Sequence, residues 1–177
     1  MNKFTFILGG IRSGKSAYAL ELAKKNKKRV VFIATAAASD NEMKKRIEQH
    51  QKSRPKSWKT IEEGIDIDLV LLGLNKKYEI ILIDCLGIFI SNLLSKDFTQ
   101  QQIKNKVEKL IKVITIIDIE VVVVSNEVGT SLVSFSPLGR QFQDLLGFTN
   151  QAMAKAADRV IFTHAGIPID IKSPKSE

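Results

Sequence analysis

Residues 9–16 read Gly9-Gly10-Ile11-Arg12-Ser13-Gly14-Lys15-Ser16. The run fits the pattern G-x-x-x-x-G-K-[ST]. An apolar segment, residues 4–8, precedes it, and residues 15–25 follow it as a helix-forming segment. Glycine at positions 9 and 14 permits backbone angles that a side chain would forbid. Successive N–H groups can then point inward as an anion nest, and the N-terminus of the following helix adds its partial positive charge. Lys15 is placed to reach β- and γ-phosphates, and the Ser16 hydroxyl to ligate Mg²⁺. A nucleoside triphosphate, ATP or GTP, is the expected ligand. The reaction stays open at this point, because kinases, GTPases and transport ATPases all share such a loop.

Away from the loop, apolar runs alternate with amphipathic segments. Residues 4–8 and 30–34 read as strands, with the helix of residues 15–25 between them presenting Ala19, Leu22 and Ala23 inward. Ser39 and Glu42 have the spacing of a capping box, so a helix is expected over residues 40–52, stopped by Arg54-Pro55. Residues 80–83 form a continuous apolar run, as a buried parallel strand does. Ile103, Val107, Leu110, Ile111, Ile114 and Ile117 recur at helical spacing over residues 101–117. Residues 119–124 read as the next strand, 138–157 as a helix broken near Gly147, 160–162 as a late strand and 167–171 as a short edge strand. Strands alternating with helices imply right-handed crossovers and a mostly parallel α/β sheet covered by helices on both faces. With 177 residues and no linker, repeat or low-complexity tract, residues 1–177 read as a single nucleotide-binding domain.

Composition narrows the class. Hydrophobic residues make up 44% and charged residues 26% of the chain, a globular balance. One cysteine, Cys85, allows no internal disulfide, and a reducing cytoplasm is the expected setting. No apolar run reaches the roughly 18 residues of a membrane span, so no membrane partner is expected. The formal net charge of +8 comes from scattered lysines without interleaved aromatics. That pattern predicts polyanionic small molecules rather than nucleic acid.

Further candidate site residues lie at strand ends. Asp84 closes the apolar run 80–83, where an acidic residue that holds Mg²⁺ is expected, the alternative being a helix-capping aspartate. Glu127 follows the run 121–124 through Ser125-Asn126, at an edge where open α/β sheets bind ligands. It is a candidate for orienting substrate or acting as a base, or it is a plain loop carboxylate. Of the two histidines, His50 sits among Glu48, Gln49, Gln51 and Lys52, which suggests exposure; on the residues alone it is an idle surface histidine or, since a neutral imidazole is a good nucleophile, a candidate nucleophile. His164 and Cys85 read as structural residues.

Taken in order, residues 9–16, Ile33-Ala34-Thr35, residues 40–43, Arg46-Ile47, His50, Arg54-Pro55, Trp58, Asp84-Cys85-Leu86, Asn92-Leu93-Leu94, residues 124–129, Asn150-Gln151 and Ala157-Asp158 resemble one family. It is the bifunctional adenosylcobinamide kinase / adenosylcobinamide-phosphate guanylyltransferase family of cobalamin biosynthesis. The resemblance implies a RecA-like P-loop NTPase fold assembled as a homotrimer. It implies phosphorylation of the corrinoid adenosylcobinamide by a nucleoside triphosphate, then GMP transfer from GTP to adenosylcobinamide phosphate. His50 matches the histidine that carries GMP. Nucleotide contacts would fall on Gly9, Gly10, Ile11, Arg12, Ser13, Gly14, Lys15 and Ser16, on Ala34, Thr35 and Ala36, on Gln51, Lys52, Ser53 and Arg54, and on Glu62 and Asp84. The chain departs from the family pattern at Gln49, Gly87, Ser134 (a usual proline) and Phe148.

Overall fold

The structure, a computed structural model, describes residues 3–25, 29–36, 51, 54–74 and 77–173. Seven strands form one sheet: β1 (Phe4–Gly9), β2 (Val30–Ala34), β3 (Lys59–Glu62), β4 (Ile80–Asp84), β5 (Glu120–Asn126), β6 (Arg159–His164) and β7 (Ile167–Lys172). The order across the sheet is β3-β2-β4-β5-β1-β6-β7, parallel throughout except for the antiparallel β6–β7 hairpin. Among the described residues the helices are α1 (Lys15–Lys24), α2 (Ile67–Gly73), α3 (Leu86–Ser95), α4 (Gln100–Ile116) and α5 (Pro137–Ala156).

The inner strands β1, β2, β4 and β5 are apolar at nearly every position because both faces of the sheet are covered there. Alternate residues feed two cores. Phe6, Leu8, Val31, Ile33, Ile81, Ile83, Val121 and Val123 face a core closed by α2, α3, α4 and α5. Ile7, Phe32, Leu82, Val122 and Val124 face a smaller one closed by α1 through Ala19, Leu20 and Ala23. Burying each large side chain contributes about 1.5–3 kcal/mol. This is the mostly parallel α/β architecture that the resemblance implied, with a phosphate-loop motif between β1 and α1 and helices on both faces.

Local chemistry explains the helix ends. Thr99 and Gln102 make a reciprocal capping box at the start of α4. The Ser136 hydroxyl accepts the Gly139 N–H at the start of α5, with Pro137 in the first turn.

Several details differ from the sequence reading. Helix α5 runs unbroken through Gly147, because its buried face, Leu145, Leu146, Thr149, Asn150 and Met153, holds the turns on either side of that glycine. On α1 the third buried residue is Leu20, while Leu22 lies at the margin. Strand β3 and helices α2 and α3 were not anticipated, and β5 continues through Ser125 and Asn126. The helix expected over residues 40–52, its Ser39–Glu42 capping box included, lies outside the described residues apart from Gln51.

Candidate active site

The site is built on the carboxyl ends of the parallel strands. Gly9 ends β1, residues 10–14 form the loop, and Lys15 and Ser16 open α1. Gly14 stands at φ +92°, where an L side chain is strained. Gly9 is required by space instead. A Cβ there would come within 2.3 Å of both Ser13 Oγ and Thr163 Oγ1 and 2.7 Å of the Thr163 carbonyl oxygen.

Loop conformation is enforced from the far end of the chain. Ser13 Oγ and Thr163 Oγ1 share a hydrogen bond of 2.9 Å, and the Thr163 hydroxyl donates to the Leu8 carbonyl at 3.1 Å. The Gly166 N–H, in the β6–β7 turn, donates to the Ser13 carbonyl at 3.0 Å. Lys15 Nζ donates across the loop to the Gly10 carbonyl at 3.0 Å. Burial lowers the Lys15 pKa from its ordinary value, opposed by the nearby Cys85 and Asp84.

Strand register gathers the acidic candidates. Glu62 pairs with Ala34, Ala34 with Asp84, Asp84 with Val124 and Val124 with Ile7, a single row across five strands. At about 4.8 Å per strand, Glu62 and the phosphate-loop strand lie to either side of Asp84 at about 10 Å each. Arg54 spans this row. Its guanidinium sits 3.7 Å from the centroid of the Phe32 ring. Burial lowers its pKa, while Asp84 and Glu62 act to hold its charge. Arg54 N–H donates to the carbonyl of the exposed Gln51 at 3.2 Å. Thr35 is buried, and its hydroxyl both accepts the Cys85 N–H (2.8 Å) and donates to the Cys85 carbonyl (2.9 Å), tying β2 to β4 just beyond Asp84. Ala36 follows at the edge of the site. His50, Lys52 and Ser53 lie outside the described residues.

Glu127 follows β5, and its N–H donates to the Gly9 carbonyl at 3.0 Å. Its carboxylate accepts from Gly129 N–H (2.6 Å), Thr130 N–H (3.1 Å) and Thr130 Oγ1 (2.7 Å). Partial burial alone would raise its pKa, but these bonds outweigh burial and the net shift is downward. Cys85 is a small buried residue whose thiol is pushed up to about 12, first by burial and then by Asp84. His164 is exposed at the end of β6, its ring stacked 6.4 Å from that of Phe162.

Three asparagines brace the same edge. Asn92 Nδ2 donates to the carbonyls of Thr35 (2.9 Å) and Gly64 (3.3 Å). Asn150 accepts the Ser125 hydroxyl (2.7 Å) and donates to the Asn126 carbonyl (2.9 Å). Asn126 Oδ1 lies 3.5 Å from Cys85 Sγ. For Asn92 the available signal was a lone amide within an apolar stretch, since a buried polar group must find partners. Thr163 and Gly166 carried no local signal at all.

A family model described as "Cobinamide kinase / cobinamide phosphate guanyltransferase" matches residues 5–171. The bifunctional adenosylcobalamin biosynthesis protein CobP of Pseudomonas aeruginosa is 38% identical over 166 residues, covering 94% of this chain and 95% of that protein. The bifunctional adenosylcobalamin biosynthesis protein CobU of Escherichia coli K12 is 35% identical over 178 residues, covering 94% and 98%. A solved structure from Pyrococcus horikoshii OT3 superposes with a TM-score of 0.58 over 98% of this chain and 88% of the other at 11% identity, a likeness of fold.

Proposed function

The chain belongs to the cobinamide kinase / cobinamide phosphate guanyltransferase family, and from that premise we propose how its residues divide the two reactions. In the first, ATP or GTP phosphorylates the terminal hydroxyl of adenosylcobinamide. In the second, GTP gives its GMP to adenosylcobinamide phosphate through a GMP–His50 intermediate. The observation that carries this reading is the meeting of the phosphate loop, Lys15, Asp84, Glu62 and Arg54 along one edge of the sheet.

The loop N–H groups and the start of α1 bind the phosphate chain, and Lys15 balances charge that gathers on the departing phosphates. An imidazole nitrogen of His50 attacks the α-phosphorus. The bond to the bridging oxygen breaks and pyrophosphate leaves. A phosphate oxygen of adenosylcobinamide phosphate then attacks the same phosphorus, the P–N bond breaks and the imidazole is restored. One difficult displacement becomes two easier ones. Ser16 and Asp84 are the residues that would hold Mg²⁺, which would neutralise phosphate charge when bound. Gln51, Lys52, Ser53, Arg54 and Glu62 would contact the nucleotide, with Ala34, Thr35 and Ala36. Glu127 fits an orienting role better than that of a base, since its carboxylate is engaged by its own turn and held below its ordinary pKa. Residues 1–177 would act as one catalytic domain, in the cytoplasm, as a homotrimer that light scattering would test. Among the described residues no helix is long and apolar enough to cross a membrane.

Incubation with GTP labelled in the α-phosphate, with Mg²⁺, should leave an acid-labile, base-stable label on the protein that is absent from His50→Ala. A protein that stays unlabelled yet phosphorylates its substrate from ATP in both forms would instead be a small-molecule kinase without a covalent step.

A further inference from the structure

The loop from β5 to α5 presents large apolar side chains to water. Leu132 is 92% exposed, Val133 72% and Phe135 101%, and Leu138 in the first turn of α5 is 61% exposed. The backbone beneath them is firmly held. Gln143 accepts the Ser134 N–H (2.9 Å) and donates to Ser131 Oγ and the Leu132 carbonyl (both 3.1 Å). Arg140 Nη1 donates to the carbonyls of Ser134 (3.1 Å) and Phe135 (2.8 Å). Large apolar side chains clustered in one exposed segment point to a binding surface, and one braced in advance loses less freedom on binding.

Beside the loop runs a groove of about 380 Å³ between α3 and α5, lined by Leu94, Leu138 and Phe142 together with Ser91, Ser95 and Ser136. Both walls grow from the catalytic edge. Helix α3 begins two residues after Asp84, and the loop begins at Glu127, whose N–H is bonded to Gly9. A substrate phosphorylated on a terminal hydroxyl sends only that end to the phosphate loop. Its macrocycle, far larger than the loop, must lie on the adjoining surface. A corrin ring is a broad apolar face edged with carboxamides, which matches apolar side chains interspersed with hydroxyls. The centre of a subunit contact is more uniformly apolar.

We propose that residues 132–138 and the α3–α5 groove seat the corrin ring of adenosylcobinamide, with the serine hydroxyls meeting its peripheral amides. This seat rests on the functional reading above. The test is the double substitution Leu132→Ser with Phe135→Ser, and separately Phe142→Ala, in the full chain. Each variant is compared with wild type by equilibrium dialysis against adenosylcobinamide, by KM and kcat for it, by GMP loading from GTP alone, and by molar mass. Losing one or two buried apolar contacts should raise the corrinoid Kd and KM about tenfold or more. The kcat, GMP loading and molar mass should hold, and GMP loading shows that the variants fold. Unchanged corrinoid affinity overturns the seat alone. A fall in molar mass overturns it in favour of a contact with a second copy. A wild-type protein that binds no adenosylcobinamide overturns the functional reading and the seat with it.

Discussion

Gly9 and Gly14 stand five positions apart in one motif, yet they are glycine for different reasons. Gly14 holds a positive φ, whereas Gly9 is an ordinary strand residue with no room for a methyl group. Hydroxyls can turn aside, but the Thr163 carbonyl, 2.7 Å from the added carbon, is fixed in β6. Gly9→Ala should therefore cost about 1–3 kcal/mol, as overpacking does, and weaken GTP binding. Urea denaturation and a nucleotide titration check it, and wild-type values for both would remove the steric account. Cys85 gives a second test. With a thiol pushed up to about 12 by burial, about one part in ten thousand is thiolate at pH 8. Iodoacetamide should leave the native protein unmodified while labelling the urea-unfolded chain, and native reactivity should rise only as pH approaches 12. Fast labelling of folded protein at pH 8 would place the thiol in water. At this scale the sequence was legible wherever chemistry is local. The loop residues announce themselves by pattern, and Asp84 and Cys85 by their place at the end of an apolar run. Thr163 and Gly166 were not legible, because a partner 150 residues from Ser13 leaves no mark near the loop.

Among the elements, those with a clear period were readable and those without were not. Helix α4 carries buried Ile103, Val107, Leu110 and Ile114 and has a capping box, so pattern and cap agree. Helix α3, Leu-Gly-Ile-Phe-Ile-Ser-Asn-Leu-Leu-Ser, buries Leu86, Phe89, Ile90 and Leu93 at helical spacing, but its short apolar opening fits a strand as well as a helix, so the segment was not readable by period alone. Helix α2 has seven residues, too few to establish a period, and β3, Lys-Thr-Ile-Glu, is a short edge strand without an apolar run. Gly147 misled in the opposite direction. Glycine is a poor helix residue, so a break was expected, but packing on both sides of it carries the helix through. A Cβ at position 147 would meet nothing within 4 Å. Gly147→Ala should therefore stabilise the protein by about 0.5–1 kcal/mol, from lower backbone entropy in the unfolded chain. A raised denaturation midpoint with unchanged GMP loading checks it, and destabilisation would mean that this helix face is covered by something the free chain does not show.

For the whole molecule, the sheet order explains why distant segments make one site. β5 stands between the phosphate-loop strand β1 and the Asp84 strand β4, and β2 and β3 extend the same row to Glu62, so contributions from residue 9 to residue 127 converge on one edge. If both half-reactions use this edge, a single seat for the triphosphate should govern the stability of the liganded protein. GTP at about a hundred times its dissociation constant adds about 2.7 kcal/mol to a folded state that binds it. For a chain of this size that raises the melting temperature by about 5–11 °C. Lys15→Ala should lose most of this shift, because on the proposed reading the ammonium would meet the phosphates directly. His50→Ala should keep it, because on the same reading reversible seating of the phosphates would depend on residues 9–16 and precede any attack on the α-phosphorus. Calorimetry of the three proteins with and without GTP separates the cases. A Lys15→Ala protein stabilised as fully as wild type would mean that the triphosphate sits somewhere other than the glycine loop, and both half-reactions would have to be reassigned with it.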